Sequence, residues 1–346
     1  MSKEMRAAVL ESPGVIGLKS LVIPVCPKEG LLVKVKAAAI CSTDASMFTL
    51  GHRDLIYPRI LGHEIAGVVI QSQNPLFLAR DRVQIYPGVC CGVCVNCIKG
   101  DVRHCLSLKI LGFSVDGGFA EIIAISNVAI NSGGINKIPD HITEDEASLT
   151  EPLASCINAQ EKLNVGKGDH VLIIGAGPLG LLHGRLAAYR GAEKVVIAER
   201  IKHRVESAFS TTDSVVHIGI NYSLSSTMAY SNGRGFNVVI PASRQLSVAQ
   251  LLPLMADNGR LSLFSGLQKK SELTGTDVNL IHYRELQLCG AYGSTSVQNT
   301  EALKLIGNGF FIGDIITARF GLEEIIEGFL YTSECRGLKA LIYNPS

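Results

Sequence analysis

The sequence VLIIGAGPLGLLHGRLAAYRGAEKVVIAE, residues 171–199, decides the fold of this chain of 346 residues. The apolar run Val171–Ile174 predicts a buried strand, and the helical pattern of Leu179–Tyr189 follows it. A second apolar run, Lys194–Ala198, predicts another strand. Later apolar runs continue the alternation at Val238–Ile240 and Leu261–Phe264. This order predicts an α/β fold with a doubly wound parallel sheet and crossover helices.

The turn after the first predicted strand has the pattern G-x-G-x-x-G. In this pattern the first glycine makes a tight turn, the second lets a pyrophosphate approach the backbone, and the third lets the helix pack on the strand. The helix N-terminus adds outward-pointing N–H groups that favour phosphate. We therefore expect a dinucleotide to bind here, and the candidate residues are Gly175, Gly177, Pro178, Leu179, Gly180, Glu199 and Arg204.

The acid at the end of the second predicted strand bears on the choice of cofactor. Glu199 lies 24 positions after Gly175 (199 − 175), where an acid is expected to bind the ribose diol. A carboxylate there repels a 2′-phosphate, which favours NAD over NADP. The nearby Arg200 and Arg204 weaken that preference. The alternative is a structural strand–helix turn followed by a surface Glu.

A short cysteine-rich lobe, CGVCVNCIKGDVRHC, indicates a metal site. Four thiols at this spacing can surround one tetrahedral ion, and such a closed site is structural because no position is left for a substrate. Free thiols, a redox cluster and a nucleic-acid zinc ribbon are the alternatives. A ribbon normally has basic surroundings, whereas this lobe has only Lys99, Asp101 and Arg103 as charges. The candidate ligands are Cys91, Cys94, Cys97 and Cys105.

A second possible metal site is less explicit. Cys41, the pair His63-Glu64 and Glu151 lie outside the lobe. A lone Cys and a lone His-Glu pair are individually more often structural than metal-bound. Together they could hold an ion with an open position, which is the arrangement of a catalytic zinc because water or an alcohol can bind there.

Composition limits the classes of function. The 32 Lys and Arg residues balance 31 Asp and Glu, so the net charge of +1 gives no field for nucleic acid or anionic membranes. We find no apolar run near the roughly 20 residues that span a bilayer. The beginning, MSKEMRAAVL, does not resemble a signal peptide, so clustered cysteines indicate metal binding in a reducing compartment, and we expect a cytoplasmic protein. The length allows two domains.

Six motifs, in this order along the chain, resemble those of the zinc-dependent medium-chain dehydrogenases, the superfamily of alcohol, sorbitol and threonine dehydrogenases. The resemblance implies a GroES-like β-rich catalytic domain from residues 1–150 and 290–346, and a Rossmann domain from 151–289. It also implies an active cleft between them and a homodimer or homotetramer. The motifs are Cys41-x-Thr43-Asp44, Gly62-His63-Glu64-x-x-Gly67, the cysteine lobe with Gly92 and Gly100, Gly117-Gly118-Phe119-Ala120-Glu121, Glu151-Pro152-Leu153, and the glycine turn.

The resemblance implies two zinc ions per chain and roles for individual residues. The lobe would hold the structural zinc. Catalytic zinc ligands would be Cys41, His63 and Glu151, with Glu64 as an exchangeable ligand that binds directly or through water. The resemblance also implies that Thr43 accepts the proton of the substrate hydroxyl and that Asp44 orients His63.

Two departures from the family pattern concern the substrate. Ser46 stands where alcohol dehydrogenases often have a proton-relay His, so water or His52 would carry the proton. Gly293-Ser294 replaces an Arg-Tyr pair of sorbitol dehydrogenases, which makes sorbitol itself doubtful. The polar stretch Tyr292–Thr295 suits a hydroxylated substrate. We therefore expect a secondary alcohol of a polyol, cyclitol or sugar derivative to be oxidised to a ketone by NAD.

Two other functions remain open. Oxidation of an amino alcohol such as L-threonine uses the same chemistry, but threonine dehydrogenases usually have a His shortly after the Cys-x-Thr-Asp motif, where this chain has Ala45-Ser46-Met47. A non-catalytic NAD-binding sensor of the same fold has no need of an open zinc, so the presence of Cys41, His63 and Glu151 argues against it.

Overall fold

A computed structural model describes residues 4–208, 215–218, 223, 225–243, 246–265 and 277–344. The chain divides into two compact units. The first unit is Met1–Ala154 with Ser294–Ser346, and the second unit is Ser155–Gly293. In the described ranges, we find no helix long and apolar enough to span a membrane.

The strands are β1 (Glu4–Ser12), β2 (Val15–Val22), β3 (Leu31–Ala39), β4 (Arg59–Ile60), β5 (Glu64–Ser72), β6 (Arg82–Ile85), β7 (Gly88–Val89), β8 (Lys109–Ile110), β9 (Ile122–Ile125), β10 (Ile135–Lys137), β11 (His170–Ile174), β12 (Lys194–Ala198), β13 (Val215–Ile218), β14 (Phe236–Pro241), β15 (Met255–Leu263), β16 (Gln287–Gly290), β17 (Ile316–Phe320) and β18 (Lys339–Tyr343). The helices are α1 (Ser42–Leu50), α2 (Val95–Ile98), α3 (Asn127–Asn131), α4 (Glu144–Ser148), α5 (Thr150–Lys162), α6 (Pro178–Tyr189), α7 (Lys202–Ala208), α8 (Val248–Leu251), α9 (Val278–Tyr283), α10 (Ser296–Gly307) and α11 (Ile325–Ser333). Short 3-10 helices cover Val102–His104, Ser225–Ser231, Leu252–Leu254, Gly313–Ile315 and Leu322–Glu324.

The first unit is β-rich. Its larger sheet has the order β10-β6-β5-β3-β18-β17, and β9 also pairs with β3. The strand β3, with sequence LLVKVKAAA, is mostly buried because it lies in the middle of this sheet. A smaller sheet, β2-β1-β4, packs its apolar residues into the same core, in which Phe119 and Phe329 are fully buried and their rings meet edge to face.

The second unit is built on a parallel sheet of the order β13-β12-β11-β14-β15-β16. The central strands have continuous apolar sequences, as expected for strands covered on both faces. The strand order reverses between β11 and β14, and in such sheets ligands bind beyond the carboxyl ends of the strands at this point. The predicted α/β fold with a doubly wound parallel sheet is confirmed.

Candidate metal centres and cofactor site

Three neighbouring strands bring one group of polar residues together. Cys41 follows the end of β3 by two positions, Glu64 is the first residue of β5, and Lys339 is the first residue of β18. Both β5 and β18 run antiparallel to β3, so their first residues lie beside its last ones: Ala39 is opposite both Glu64 and Leu341. The sheet therefore brings residues from three distant parts of the sequence together at one end of these three strands.

The ligand atoms of Cys41, His63 and Glu64 lie within 4.8 Å of one another. A thiolate, an imidazole and a carboxylate are the donor types that zinc prefers, so the group fits a zinc ion. Glu151, the remaining predicted ligand, is not in this group; it lies in the first turn of α5 in the same unit. Its charge nevertheless acts on Glu64 and Lys339, raising the pKa of each.

His63 is held by Asp44, which is fully buried. The His63 Nδ1 lies 3.2 Å from Asp44 Oδ1, while Oδ2 accepts a hydrogen bond of 3.0 Å from the backbone N–H of Cys41. Burial lowers the pKa of His63, but the charge and hydrogen bond of Asp44, with a smaller contribution from Cys41, outweigh burial and raise it well above its usual value. Because Nδ1 faces Asp44, Nε2 is the nitrogen left for a metal.

Thr43 lies in the first turn of α1, two positions after Cys41, and is half-buried. The helix begins there because the Asp44 carboxylate accepts the Cys41 N–H at its N-terminus. The position fits the predicted proton transfer from a substrate hydroxyl, a role that stays a prediction.

Lys339, which no sequence motif identified, is also part of this site. Its Nζ lies 2.7 Å from Oε1 and 2.5 Å from Oε2 of Glu64, and the two residues are 5% and 1% exposed. Burial alone lowers the pKa of Lys339, but the charges of Glu64, Cys41 and Glu151 outweigh burial and raise it, so the ammonium is retained. Burial raises the pKa of Glu64 to about 7, against the opposing effect of Lys339 and His63.

One signal could have identified Lys339. It begins the apolar segment KALIY, and a lysine at the start of a buried strand is rarely fully buried without an anionic partner. The sequence does not reveal which acid that partner is.

The four thiols of the lobe lie around a common centre. The Sγ–Sγ distances are 3.5 Å for Cys94–Cys97, 3.5 Å for Cys105–Cys91 and 3.9 Å for Cys91–Cys97. A tetrahedron with Zn–S bonds of about 2.3 Å has edges of about 3.8 Å. Disulfides would need S–S distances of about 2.05 Å, and all these thiols are free. The geometry of the lobe therefore fits one zinc ion.

Backbone N–H groups in the lobe donate hydrogen bonds to cysteine sulfur atoms, which stabilises the thiolate form. The N–H of Cys94 donates to Cys91 Sγ at 3.4 Å, and the N–H groups of Cys91 and Ser107 donate to Cys105 Sγ at 3.3 and 3.4 Å. Hydrogen bonds from the backbone at Cys97 and Leu106 lower the pKa of Cys94 to about 6. A metal binds the thiolate form, so these donors favour metal binding.

The glycine turn of the second unit has the geometry that a dinucleotide requires. Gly175 has a φ of +111°, which a residue with a side chain rarely adopts. A Cβ at Gly180 would lie 1.7 Å from the carbonyl oxygen of Gly175, so only glycine allows α6 to approach the turn. Gly177 precedes α6, and Pro178 and Leu179 form its first turn. These contacts match the roles of the three glycines in the fingerprint.

Glu199 and Arg204 both lie beside this turn. The Glu199 carboxylate accepts hydrogen bonds from the backbone N–H groups of Ala176, Arg200 and Ile201, at 2.8, 2.6 and 2.9 Å. It therefore ties the end of β12 to the glycine turn, a contact that the sequence did not predict. The guanidinium of Arg204 lies over Gly177, with Nη1 3.3 Å from the position of a Cβ there.

The polar stretch before α10 has a structural role at its end. Thr295 caps the N-terminus of α10: its hydroxyl accepts a hydrogen bond of 3.2 Å from the Gln298 N–H. Tyr292 is exposed, and Ser294 is buried. The preference for a hydroxylated substrate, expected from Tyr292–Thr295, therefore does not rest on the Thr295 side chain.

Comparison with known proteins gives one family match and many relatives. Residues 27–133 match the family described as the alcohol dehydrogenase GroES-like domain. An uncharacterized zinc-type alcohol dehydrogenase-like protein of Haemophilus influenzae is 31% identical over 331 residues, covering 94% of each chain. D-altritol 5-dehydrogenase of Agrobacterium fabrum is 31% identical over 334 residues, covering 94% of this chain and 95% of that one. L-threonine 3-dehydrogenase of Francisella philomiragia is 29% identical over 342 residues, covering 93% and 94%.

A solved structure extends the similarity to the whole chain. A zinc-binding dehydrogenase of Sinorhizobium meliloti, described as bound to NADP, has a TM-score of 0.88 and 26% identity, and covers 99% of this chain and 100% of that one. The GroES-like domain expected for the first unit is confirmed by the family match.

Proposed function

Because the chain belongs to the zinc-type alcohol and polyol dehydrogenases of the medium-chain superfamily, we propose that it oxidises a secondary alcohol of a polyol, cyclitol or sugar derivative to a ketone, with NAD⁺ as the hydride acceptor. The observation that carries the proposal is the group of Cys41, His63 and Glu64, whose ligand atoms lie within 4.8 Å of one another. A thiolate, an imidazole and a carboxylate suit a zinc ion with an open position.

In this proposal Cys41, His63 and Glu151 hold the catalytic zinc, and Glu64 or water is an exchangeable ligand. Zinc lowers the pKa of bound water from about 15.7 to about 7, and a bound alcohol is acidified in the same way. Asp44 keeps Nδ1 of His63 occupied and the ring fixed, which supports binding through Nε2. A second zinc in the four-thiol lobe has a structural role, since four thiolates leave no open position.

The proton of the substrate hydroxyl passes first to Thr43 in this proposal. Ser46 does not carry a proton onward as an imidazole does, so His52 is our candidate for the next step. Its Nδ1 accepts a hydrogen bond of 3.2 Å from the Asp54 N–H, which leaves Nε2 to bind or release protons. The ring packs against Phe113, which also contacts His63, with centroid distances of 5.4 Å in both cases.

The cofactor proposal rests on the glycine turn and on Glu199. The turn and the N-terminus of α6 suit a pyrophosphate. The Glu199 carboxylate beside the turn disfavours a 2′-phosphate, which supports NAD⁺. The Sinorhizobium relative was solved with NADP, and Arg204 lies over Gly177, so both cofactors belong in any assay.

The substrate class is supported by the D-altritol 5-dehydrogenase relative. A second candidate is L-threonine, because an L-threonine 3-dehydrogenase is also a relative at 29% identity. The lack of a His shortly after Asp44 argues against threonine. We further propose that the protein works in the cytoplasm as a homodimer or homotetramer.

The test follows the absorbance of reduced nicotinamide while purified protein meets NAD⁺ or NADP⁺ and a panel of alcohols. The panel contains polyols, cyclitols, sugar phosphates, L-threonine and simple alcohols, and protein stripped of metal by a chelator is the control. We expect metal-dependent turnover of one polyhydroxylated group with NAD⁺. Turnover of threonine alone would favour the amino-alcohol function. Binding of NAD⁺ and zinc with no turnover of any alcohol would favour a sensor.

A further inference from the structure

We propose that Lys339 is a positioning residue that holds the Glu64 carboxylate away from the metal, so that the coordination position beside Cys41 and His63 stays open for the alcohol. The inference rests on the proposed function only in requiring a metal at this site. It assigns a role to a residue outside the metal ligands and the glycine turn.

The geometry of the Glu64–Lys339 ion pair supports this role. Glu64 has a carboxylate oxygen within 4.8 Å of the ligand atoms of Cys41 and His63, so it is within reach of a metal held by them. The same carboxylate has Nζ of Lys339 at 2.7 Å from Oε1 and 2.5 Å from Oε2. The ammonium thus lies between the two oxygens, where a cation bound by both oxygens of the carboxylate would lie. Lys339 and a metal ion therefore compete for one carboxylate.

The strand order of the sheet permits this contact. Glu64 and Lys339 lie on β5 and β18, which flank β3 on opposite sides. Residues directly opposite each other share a face of the sheet, so Ala39, Glu64 and Leu341 lie on one face, and Lys339, two positions from Leu341, lies on it too. Ala39, the β3 residue opposite Glu64, has a small side chain, and the Lys339 side chain reaches Glu64 across β3.

Burial of the ion pair leads to the same conclusion. The Glu64 carboxylate is 1% exposed, and the Lys339 ammonium is its cationic partner in the structure. Without the ammonium, the metal is the remaining cation for the buried Glu64, and a buried carboxylate strongly favours a cationic partner. We therefore expect Glu64 to bind the metal when Lys339 is removed.

The experiment uses the full chain with zinc retained in the four-thiol lobe and Co²⁺ in the Cys41–His63 site. The variants are Lys339→Met, Lys339→Arg, Glu64→Gln and the double variant Lys339→Met/Glu64→Gln. The visible absorption of Co²⁺ weakens when its coordination number rises from four to five, so it reports carboxylate binding without turnover. Competition with a chelator gives the metal affinity.

We expect Lys339→Met to weaken the Co²⁺ absorption and to tighten metal binding roughly tenfold, the usual size of effects from groups around metal ligands. Lys339→Arg retains the cation and should keep the native spectrum. Glu64→Gln should change the spectrum little, and the double variant should restore it, because the amide is a weak ligand. A merely structural role for Lys339 would not produce this restoration.

Two results would overturn the proposal: a native Co²⁺ spectrum in Lys339→Met, or an altered spectrum that persists in the double variant. Lys339→Met leaves a buried carboxylate unpaired, so it could fail to fold. In that event Lys339→Gln, which retains an N–H donor but no charge, takes its place, and a native spectrum there contradicts the proposal. Absence of alcohol oxidation in the wild type would instead count against the proposed function, since the spectrum does not depend on turnover.

Discussion

The four-thiol lobe and the Cys41–His63–Glu64 group both gather metal ligands, but they are built in opposite ways. The lobe closes within residues 91–105, and its sulfur atoms surround one centre. The other group joins the ends of β3 and β5, with Lys339 of β18 against its carboxylate. The lobe offers four thiolates from one loop, which leave no coordination position for a substrate. The group assembled across strands combines different ligand types with a lysine that competes with the metal for Glu64, and this arrangement suits a catalytic metal with an open coordination position.

The largest expected effect separates the two sites by activity. We predict that Cys41→Ser lowers kcat/KM for the best alcohol on the order of a thousandfold, because zinc contributes several kcal/mol to such reactions. The free energy of unfolding should change by less than about 1 kcal/mol. Steady-state kinetics and urea unfolding check both values, with the half-buried, non-ligand Cys335→Ser as control. Retained activity in Cys41→Ser would contradict a catalytic role for a metal bound by Cys41.

The lobe should respond in the opposite way. We predict that Cys94→Ser loses one metal ion per chain and lowers the free energy of unfolding by roughly 3 kcal/mol, because metal binding contributes directly to folding. Activity per folded, metal-loaded molecule should be largely retained. Metal analysis and urea unfolding are the measurements. Cys90→Ala is the matched control, since Cys90 is a buried neighbour outside the four-thiol group. Full metal content in Cys94→Ser would contradict a four-thiolate site.

A smaller effect is expected from replacing Asp44, the residue that holds the metal ligand His63 in place. Asp44→Asn keeps the size of the side chain but removes the charge that holds His63. We predict a metal affinity weaker by roughly 10- to 100-fold at the Cys41 site, with the lobe unaffected. Chelator competition measures both sites, and Asp54→Asn on the exposed loop serves as control. Equal weakening at the two sites would mean that Asp44 acts on the whole unit.

The smallest expected effect concerns a buried imidazole away from both metal groups. His183 of α6 is fully buried, and burial, with a smaller contribution from Arg190, lowers its pKa to about 3. Between pH 3 and about 6.5 the unfolded chain binds more protons at this residue, so stability falls as the pH falls. Between pH 7 and pH 5 the loss should be about 2 kcal/mol.

The matching measurement is urea unfolding at both pH values. His183→Leu should abolish this part of the loss, whereas His282→Leu, at an exposed position on α9, should retain it. An unchanged pH dependence in His183→Leu would show that other groups control acid stability.

What the sequence predicted well is local. The G-x-G-x-x-G turn, the strands on either side of it and the grouping of four lobe cysteines depend on neighbouring residues, and the structure has them together. The predicted family is confirmed by relatives at 31% identity. The strand β15 was predicted only from Leu261, because polar residues at 257–258 hide its beginning at Met255. The segment Thr211–Gly235 gave weak signals and contains β13, while its residues 211–214, 219–222 and 224 lie outside the described ranges.

What the sequence did not reveal depends on contacts between distant residues. No spacing rule links Lys339 with Glu64, since the pairing of β18 with β3 creates their contact. In the same way, the backbone donors that hold Glu199 come from the turn and from the residues after β12. Likewise, no sequence rule shows that the group within 4.8 Å consists of Cys41, His63 and Glu64 without Glu151.

The pairing of β18 with β3 has a consequence for synthesis on the ribosome. Ala39 and Lys339 are 300 positions apart (339 − 39), and the whole second unit lies between them in the chain. At about 5–20 residues per second, translation of that interval takes about 15–60 s. During this time β3 lacks one of its neighbours, and a nascent chain holding Cys41, His63 and Glu64 has no Lys339. The open metal site is therefore completed only after the second unit has been translated.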